Sequence, residues 1–455
     1  MIGEQEIRRI GERVLRASDA DETEVVFFGL EERLTRFANN VIHQNVSESD
    51  ASVVVRAAAG KRVGAATTND LTDAGLERVT AAALAACRLA AQPEDPDYPG
   101  MPEPVAVEPV DAFDASTAAY TPADRARDVG AVCRRAAEAG CNASGAFRTA
   151  VHEFAVLNSH GLFAYHPATV ADLTTVVMTA DSAGYAAGAA WQVGQVDVGA
   201  LGDEAIAGAL RGRNPQALEP GAYPVVLAPY ATQDIVDFVT MGASGMMVAE
   251  GRSWMPGREG QTVMSPRVSL WDDGRDPQGW PLPFDFEGMP RQRVEIVRQG
   301  VVGSAVYDRR WAAKTGKAAT GHALPPYNPF SPWLNASRLG PFPMHPAMGP
   351  GEHTVEEMIA ATERGLYITR FHYTRTVHPR EVVVTGLTRD GVFLIEGGEI
   401  TTPVKNLRFT QSYIEALANV EMVGRDVHRE RPNFSVGRAP ALKIAAFNFT
   451  GVTTF

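Results

Sequence analysis

The chain has 455 residues, of which 45% are hydrophobic and 21% charged, a balance that suits a soluble globular protein of two or three domains. Its net charge of −12 excludes a general grip on nucleic acid, which needs clustered Lys and Arg. No apolar run approaches the roughly 20 residues of a membrane helix, and the charged N-terminus MIGEQEIRRIGERVL lacks the apolar centre of a signal peptide.

Apolar positions Ile7, Ile10, Val14 and Leu15 predict a helix over 4–18. Strand patterns follow over 23–30, 34–38, 41–46 and 52–58, with Asn39-Asn40 as a turn, and 61–67 completes a meander. An Ala/Leu-rich helix is expected over 71–91, where Asn69 or Asp70 can accept from its unpaired first N–H groups. Residues 92–111 hold six prolines and several acids and read as a linker. Thr121-Pro122 opens a helix to about Gly140. Strands are expected over 143–149, 153–158, 161–167 and 172–180, a short helix over 203–210, a buried strand over 222–227 and a helix from Thr232. Residues 323–351 carry eight prolines and little periodicity, and suit a lid or a docking surface. Further strands are expected over 366–373, 381–385, 391–396 and 441–447, with a helical run over 413–418.

This order divides the chain into an N-terminal α/β domain (1–91), a Pro/acid-rich linker (92–120), a middle α/β segment (121–220) and a strand-rich C-terminal domain with a buried helix (221–455). Helices and strands mix without a strict βαβ rhythm, so the expected class is α+β. Cys87, Cys133 and Cys141 form no regular framework and predict free thiols, a reducing compartment and a cytoplasmic location.

The segment Leu282–Ala323 is the most distinctive. An acidic turn, Phe284-Asp285-Phe286-Glu287-Gly288, leads through two short strands and a basic helix-like stretch to Thr320-Gly321-His322-Ala323. Elsewhere stand Arg36-Phe37-Ala38-Asn39-Asn40 with Ile42 and Gln44, Asn158-Ser159-His160-Gly161, Gly397-Gly398-Glu399-Ile400 with Pro403-Val404, and Met422-Val423-Gly424-Arg425-Asp426. In order and spacing these motifs resemble the TldD/PmbA family, whose best-known members form a zinc-dependent peptidase.

In the catalytic branch of that family a strand and a Pro-containing turn lead to a helix bearing His-Glu-x-x-x-His. Two imidazoles hold Zn²⁺ and the glutamate serves the bound water as base. The matching strand here is Pro224–Pro229, and ungapped counting places Asp237, Phe238 and Gly242 at the His, Glu and His positions. Residues 167–321 contain no histidine, and no cysteine follows Cys141, where the catalytic branch carries one near its C-terminus. Asp237 could in principle ligate, but Phe238 cannot act as a base and Gly242 offers no ligand. The helix therefore reads as structural, with Ile235, Phe238, Val239 and Met246 as its apolar stripe and the residues from Gly242 to Gly245 allowing close packing.

The resemblance thus points to the metal-free PmbA/TldE-like branch, also carried by Phe284-Asp285-x-Glu287-Gly288 and Thr320–Ala323. It implies a non-catalytic subunit whose zinc resides in a TldD-like partner of a heterodimer. Extended, unfolded or leader peptides would bind there by strand addition. Asp285, Glu287 and His322 are the candidate peptide or partner contacts. The alternatives are a stand-alone homodimer that binds peptides or a protein client without hydrolysis, in line with the family's older label as a modulator of DNA gyrase, and divergent hydrolysis by other residues.

Other chemistry is weaker. His152-Glu153, with His160 and His166, has strand rather than zinc-helix spacing. His345, His353, His372 and His378 lie within or after the Pro-rich loop; the even spacing of His372 and His378 suits one strand face, but Pro379 ends that strand and argues against a metal cluster. Lys314-Thr315-Gly316-Lys317 imitates a P-loop, but Trp311 and Ala318 stand where glycine and Ser/Thr are required. Arg309, Arg310, Lys314 and Lys317 instead read as a basic helix face, solvated or set against an acidic partner.

Overall fold

The structure is a computed structural model that describes residues 1–89, 94–329, 331–431 and 436–453. The last two residues of the helix expected over 71–91, the first two of the expected linker and the final two of the chain lie outside the described residues. The fold is α+β, built on two sheets.

The first sheet has six antiparallel strands: β1 (Glu22–Ala38), β2 (Val41–Ala59), β3 (Arg62–Thr68), β4 (Asn142–Asn158), β5 (Phe163–Met178) and β6 (Ala183–Ala190), in the order β3-β2-β1-β4-β5-β6. The signals expected as separate strands over 23–30 and 34–38 form one strand. β1 is paired on both sides, so the ladder carries it through the polar Glu31-Glu32-Arg33. Asn39 and Asn40 turn the β1–β2 hairpin at φ 51° and 62°, the left-handed conformation that a tight two-residue turn requires.

Alternation along these strands serves two cores. Val25, Phe27, Val53, Val55 and Leu157 face the helices Glu4–Ala17 and Asp73–Arg88. Phe37, Phe147 and Leu173, further along the same face, meet the helices Pro122–Glu138 and Val198–Arg211. Thr121 closes a full capping box with Asp124. The cap of the second helix is Thr72, not Asn69 or Asp70. Asp70 instead accepts from the Thr72 hydroxyl at 2.6 Å and so sets up the cap. On the other face, Val26, Phe28, Phe154 and Val156 pack against Trp280, Leu282, Phe284, Phe286 and Met344 of the later chain. The Phe28 and Phe286 rings stack at 5.3 Å.

The second sheet comprises β7 (Gly221–Leu227), β8 (Leu270–Asp272), β9 (Val294–Arg298), β10 (Val301–Val302), β11 (Pro346–Met348), β12 (Arg364–His378), β13 (Val383–Glu396), β14 (Glu399–Pro403), β15 (Leu407–Ser412), β16 (Val420–Glu430) and β17 (Gly437–Val452). Pairing runs β7-β12-β13-β15-β17 and returns from β17 to β7, a closed five-strand circuit. Closure removes the edges that would otherwise expose unpaired backbone. The helix Pro229–Met241 buries Ala231, Ile235, Val236 and Val239 in the largest core, with β7, β12 and β17 residues around them.

The linker and the Pro-rich loop are structural parts. Asn158 donates to the Pro102 carbonyl (2.7 Å), and Arg309 donates to that of Gly100 (2.5 Å). Arg310 pairs with Asp95 at 2.5 Å and Lys314 with Asp97 at 3.5 Å. The acidic partner of the basic helix face is thus this chain's own linker. Leu324, Leu334 and Met344 of the Pro-rich loop are buried in the core between the two sheets.

Candidate functional site

Pro229 at the first helical position starts the helix after β7, since its missing N–H would be unpaired there in any case. The observed buried stripe is Ala231-Ile235-Val236-Val239. Phe238, expected on that stripe, is half-buried and sets its ring 5.9 Å from that of Tyr413, while Met246 belongs to the separate short helix Gly245–Ala249. Asp234 and Asp237 occupy the flank that the stripe leaves half-buried.

The zinc positions can be tested on geometry. Asp237 accepts from the Gln233 side-chain amide at 2.7 Å. A Cβ on Gly242 would lie 2.5 Å from the Trp254 indole, so no larger side chain fits there without moving that ring. Trp254 is itself pinned, donating to the Val239 carbonyl at 2.8 Å. Gly245 is equally tight, its Cβ position 2.5 Å from the Tyr307 ring. These residues do not fit zinc, and the described residues contain no group of three His, Cys, Asp or Glu side chains able to hold a metal.

The acidic turn and His322 lie elsewhere, in the seam between the sheets. Asp285 is fully buried and accepts from the backbone N–H groups of Glu287 (2.9 Å), Met289 (3.0 Å) and Ala323 (2.8 Å). Burial and the nearby Glu287 raise its pKa to about 6. Gly288, at φ 78°, closes the turn. Glu287 is buried 3.5 Å from Arg56, which also holds the fully buried Glu24 at 2.8 Å. Burial lifts Glu24 to about 7 against the pull of Arg56. His322 is fully buried, with Nε2 2.9 Å from Asp272 and Nδ1 2.9 Å from the Thr320 hydroxyl. Burial lowers the His322 pKa, and Asp272, despite its own burial, is held below the usual range by the hydrogen bond from His322. The pair is therefore a neutral imidazole donating to a carboxylate. Asp272 also accepts from the His345 N–H at 2.6 Å.

The remaining histidines stay apart. His152 is buried in β4, 5.0 Å from the Trp280 ring, and burial drops its pKa to about 3. His160 lies in the following turn beside Glu22 and Glu103, at 3.1 and 3.2 Å. His372 and His378 share β12, but two register irregularities separate them, so even spacing does not give a common face. The P-loop-like string is the end of the helix Arg309–Thr315, with Gly316 at φ 66° as its left-handed terminator.

One constellation escaped the sequence reading. Tyr413 and Thr374 donate to Asp234 at 2.7 and 2.8 Å. Glu430, at the end of β16, is 7% exposed and lies within electrostatic range of Asp237, Arg370 and Asp234. Burial raises these carboxyls to about 6 (Asp234), 7 (Asp237) and 8 (Glu430). Two aspartates three apart on an apolar helix were a usable signal. Glu430 had none, because only the β16–β17 pairing brings it here.

A closed strand circuit against a helix, and a second sheet docked through an acidic turn, define a two-sheet α+β scaffold. The chain belongs to the PmbA/TldD family: residues 220–451 match the PmbA/TldA metallopeptidase C-terminal domain and residues 23–88 match PmbA/TldA metallopeptidase domain 1. It is 26% identical over 229 residues to a metalloprotease TldD homolog of Haemophilus influenzae, a match covering 48% of this chain and 44% of that one. The chain thus spans under half the length of that relative. It is 23% identical to the metalloprotease PmbA of Escherichia coli O157:H7, over 87% of this chain and 86% of that one. The crystal structure of TldE from Thermococcus kodakarensis superposes with a TM-score of 0.86 at 20% identity, covering 98% and 99% of the two chains, which establishes the shared fold. No helix among the described residues is long and apolar enough to cross a membrane.

Proposed function

We propose that this chain is the non-catalytic subunit of a TldD/TldE-type zinc metallopeptidase complex of the cytoplasm, binding unfolded or leader peptides beside a zinc-bearing TldD-like partner. The observation that carries this reading is the helix Pro229–Met241 with Gly242. It has no base at Phe238, and Trp254 fills the space that a second histidine would need. The likeness to PmbA and TldE is in keeping with it. Asp285, Glu287 and His322 then act by holding the two sheets in register around a peptide chamber, since their polar atoms are turned inward.

The test is co-expression with a chain from the same cell that bears His-Glu-x-x-x-His. The pair should co-purify, carry zinc in the partner and cleave unfolded peptides, while this chain alone does neither. Stoichiometric zinc and peptide cleavage by the isolated chain would overturn the reading. A partnerless homodimer that binds peptide without cleaving it would replace the reading with that of a stand-alone binder.

A further inference from the structure

The linker crosses the first sheet as a strap, and a cavity of about 530 Å³ opens between it and β5. The strap is pinned at both ends. Asn158 donates to the Pro102 carbonyl at 2.7 Å, and the Thr169 N–H donates to that of Ala112 at 2.8 Å. Three segments distant in sequence wall the cavity: the strap with Val105 and Phe113, β5 with Phe163 and His166, and the acidic turn with Phe284. The volume falls within the range of about 300–1,000 Å³ usual for small-molecule sites. Its apolar side chains are incompletely covered, Val105 being 40% and Phe113 37% exposed.

The polar side chains at this cavity are acceptors. His166 is 4% exposed, and its Nε2 lies 2.9 Å from the Pro281 carbonyl. A carbonyl only accepts, so Nε2 carries the ring proton and Nδ1 keeps a bare lone pair. Nδ1 has no hydrogen-bond partner among the described residues. Burial lowers the His166 pKa to about 4, which keeps the ring neutral at physiological pH. The Tyr165 hydroxyl is already spent as a donor to Glu153 at 2.8 Å. Glu4 and Asp111 stand exposed at the rim. Glu4 is paired with Arg8 at 3.5 Å, whereas Asp111 has no ion pair among the described residues. Such a lining repels an anion and leaves a buried acceptor to be met by a donor. The Phe113, Phe163 and Phe284 rings suit a flat aromatic body.

We propose that this cavity binds a small aromatic amine whose ring carries an N–H or O–H donor, the ring donor meeting His166 Nδ1 and the ammonium meeting Asp111. The site goes beyond the peptidase reading, since it needs neither zinc nor a partner chain.

Calorimetric titration of the purified full-length chain with tryptamine tests it. The controls are 1-methyltryptamine, which lacks the ring N–H, and indole-3-propionate, which reverses the charge of the tail. Tryptamine should bind with a Kd below about 1 mM and at least about tenfold tighter than either control. His166→Phe should erase the preference over 1-methyltryptamine, and Asp111→Asn should erase most of the preference over indole-3-propionate. Val105→Trp, at an exposed position of the strap, fills the mouth and should abolish tryptamine binding while leaving the thermal melt unchanged. No tryptamine binding, equal binding of 1-methyltryptamine, or binding undiminished in Val105→Trp would overturn the site. A ring-donor preference that survives His166→Phe would overturn the assignment to His166. Should His166→Phe fail to fold, Val105→Trp and the two controls decide the matter on folded protein.

Discussion

Two regions of this molecule bury carboxylates, and they treat them differently. In the seam between the sheets, each acid has a donor of this chain. Arg56 serves Glu24 and Glu287, three backbone N–H groups serve Asp285, and His322 with the His345 N–H serves Asp272. Beside the helix Pro229–Met241, by contrast, the donors are neutral: the Gln233 amide serves Asp237, and the Tyr413 and Thr374 hydroxyls serve Asp234. Buried acids that share a cation tie two segments together as a structural joint, whereas neutral donors leave burial to raise Asp234 and Asp237 to about 6 and 7. The family's distinctive acidic turn belongs to the first kind.

The contrast can be broken most severely at Arg56. Arg56→Met leaves Glu24 and Glu287 buried together without a counter-charge, and should cost about 3–5 kcal/mol in chemical denaturation; a loss below about 1 kcal/mol would show that the seam does not depend on this pair. Asp272→Asn weakens the charged acceptor shared by His322 and the His345 N–H, and a loss of about 1.5–3 kcal/mol is expected. Gly242→His forces an imidazole against the Trp254 ring. It should cost about 1–3 kcal/mol and should not bring zinc with it, as metal analysis of the purified variant would show.

The smallest effect has the most diagnostic sign. Glu430 has its pKa raised by burial to about 8 in the fold, against an ordinary value of 4.5. A raised carboxyl leaves stability intact below the unfolded pKa and loses it as pH climbs through the folded one. Glu430→Gln removes that loss. Its melting temperature should match the parent near pH 5 and exceed it by a few degrees near pH 9. A Glu430→Gln variant that melts lower at both pH values would show that the carboxyl's own interactions outweigh the effect of its burial.

Much of the architecture was legible in local pattern. The Asn39-Asn40 hairpin, the Thr121-Pro122 helix start and the strand before Pro229 are dictated by backbone preferences of the residues themselves. So was the lack of any histidine over residues 167–321. The interior placement of Asp285, Glu287 and His322 was not legible. An acidic turn and a glycine-flanked histidine look alike in a sequence whether they face solvent or a core, and the difference lies in Arg56, Asp272 and the aromatic face of the first sheet.

The chain's residues alone thus determined the class of elements and the family motifs, since each depends on side-chain chemistry or on neighbours within a few residues. The tertiary structure decided which buried acids share a cation and which have neutral donors. That outcome depends on elements distant in sequence: β2 brings Arg56 to Glu287, and the helix after β15 brings Tyr413 to Asp234. Electrostatic partnership in a low-dielectric interior is set by those approaches and not by order along the chain.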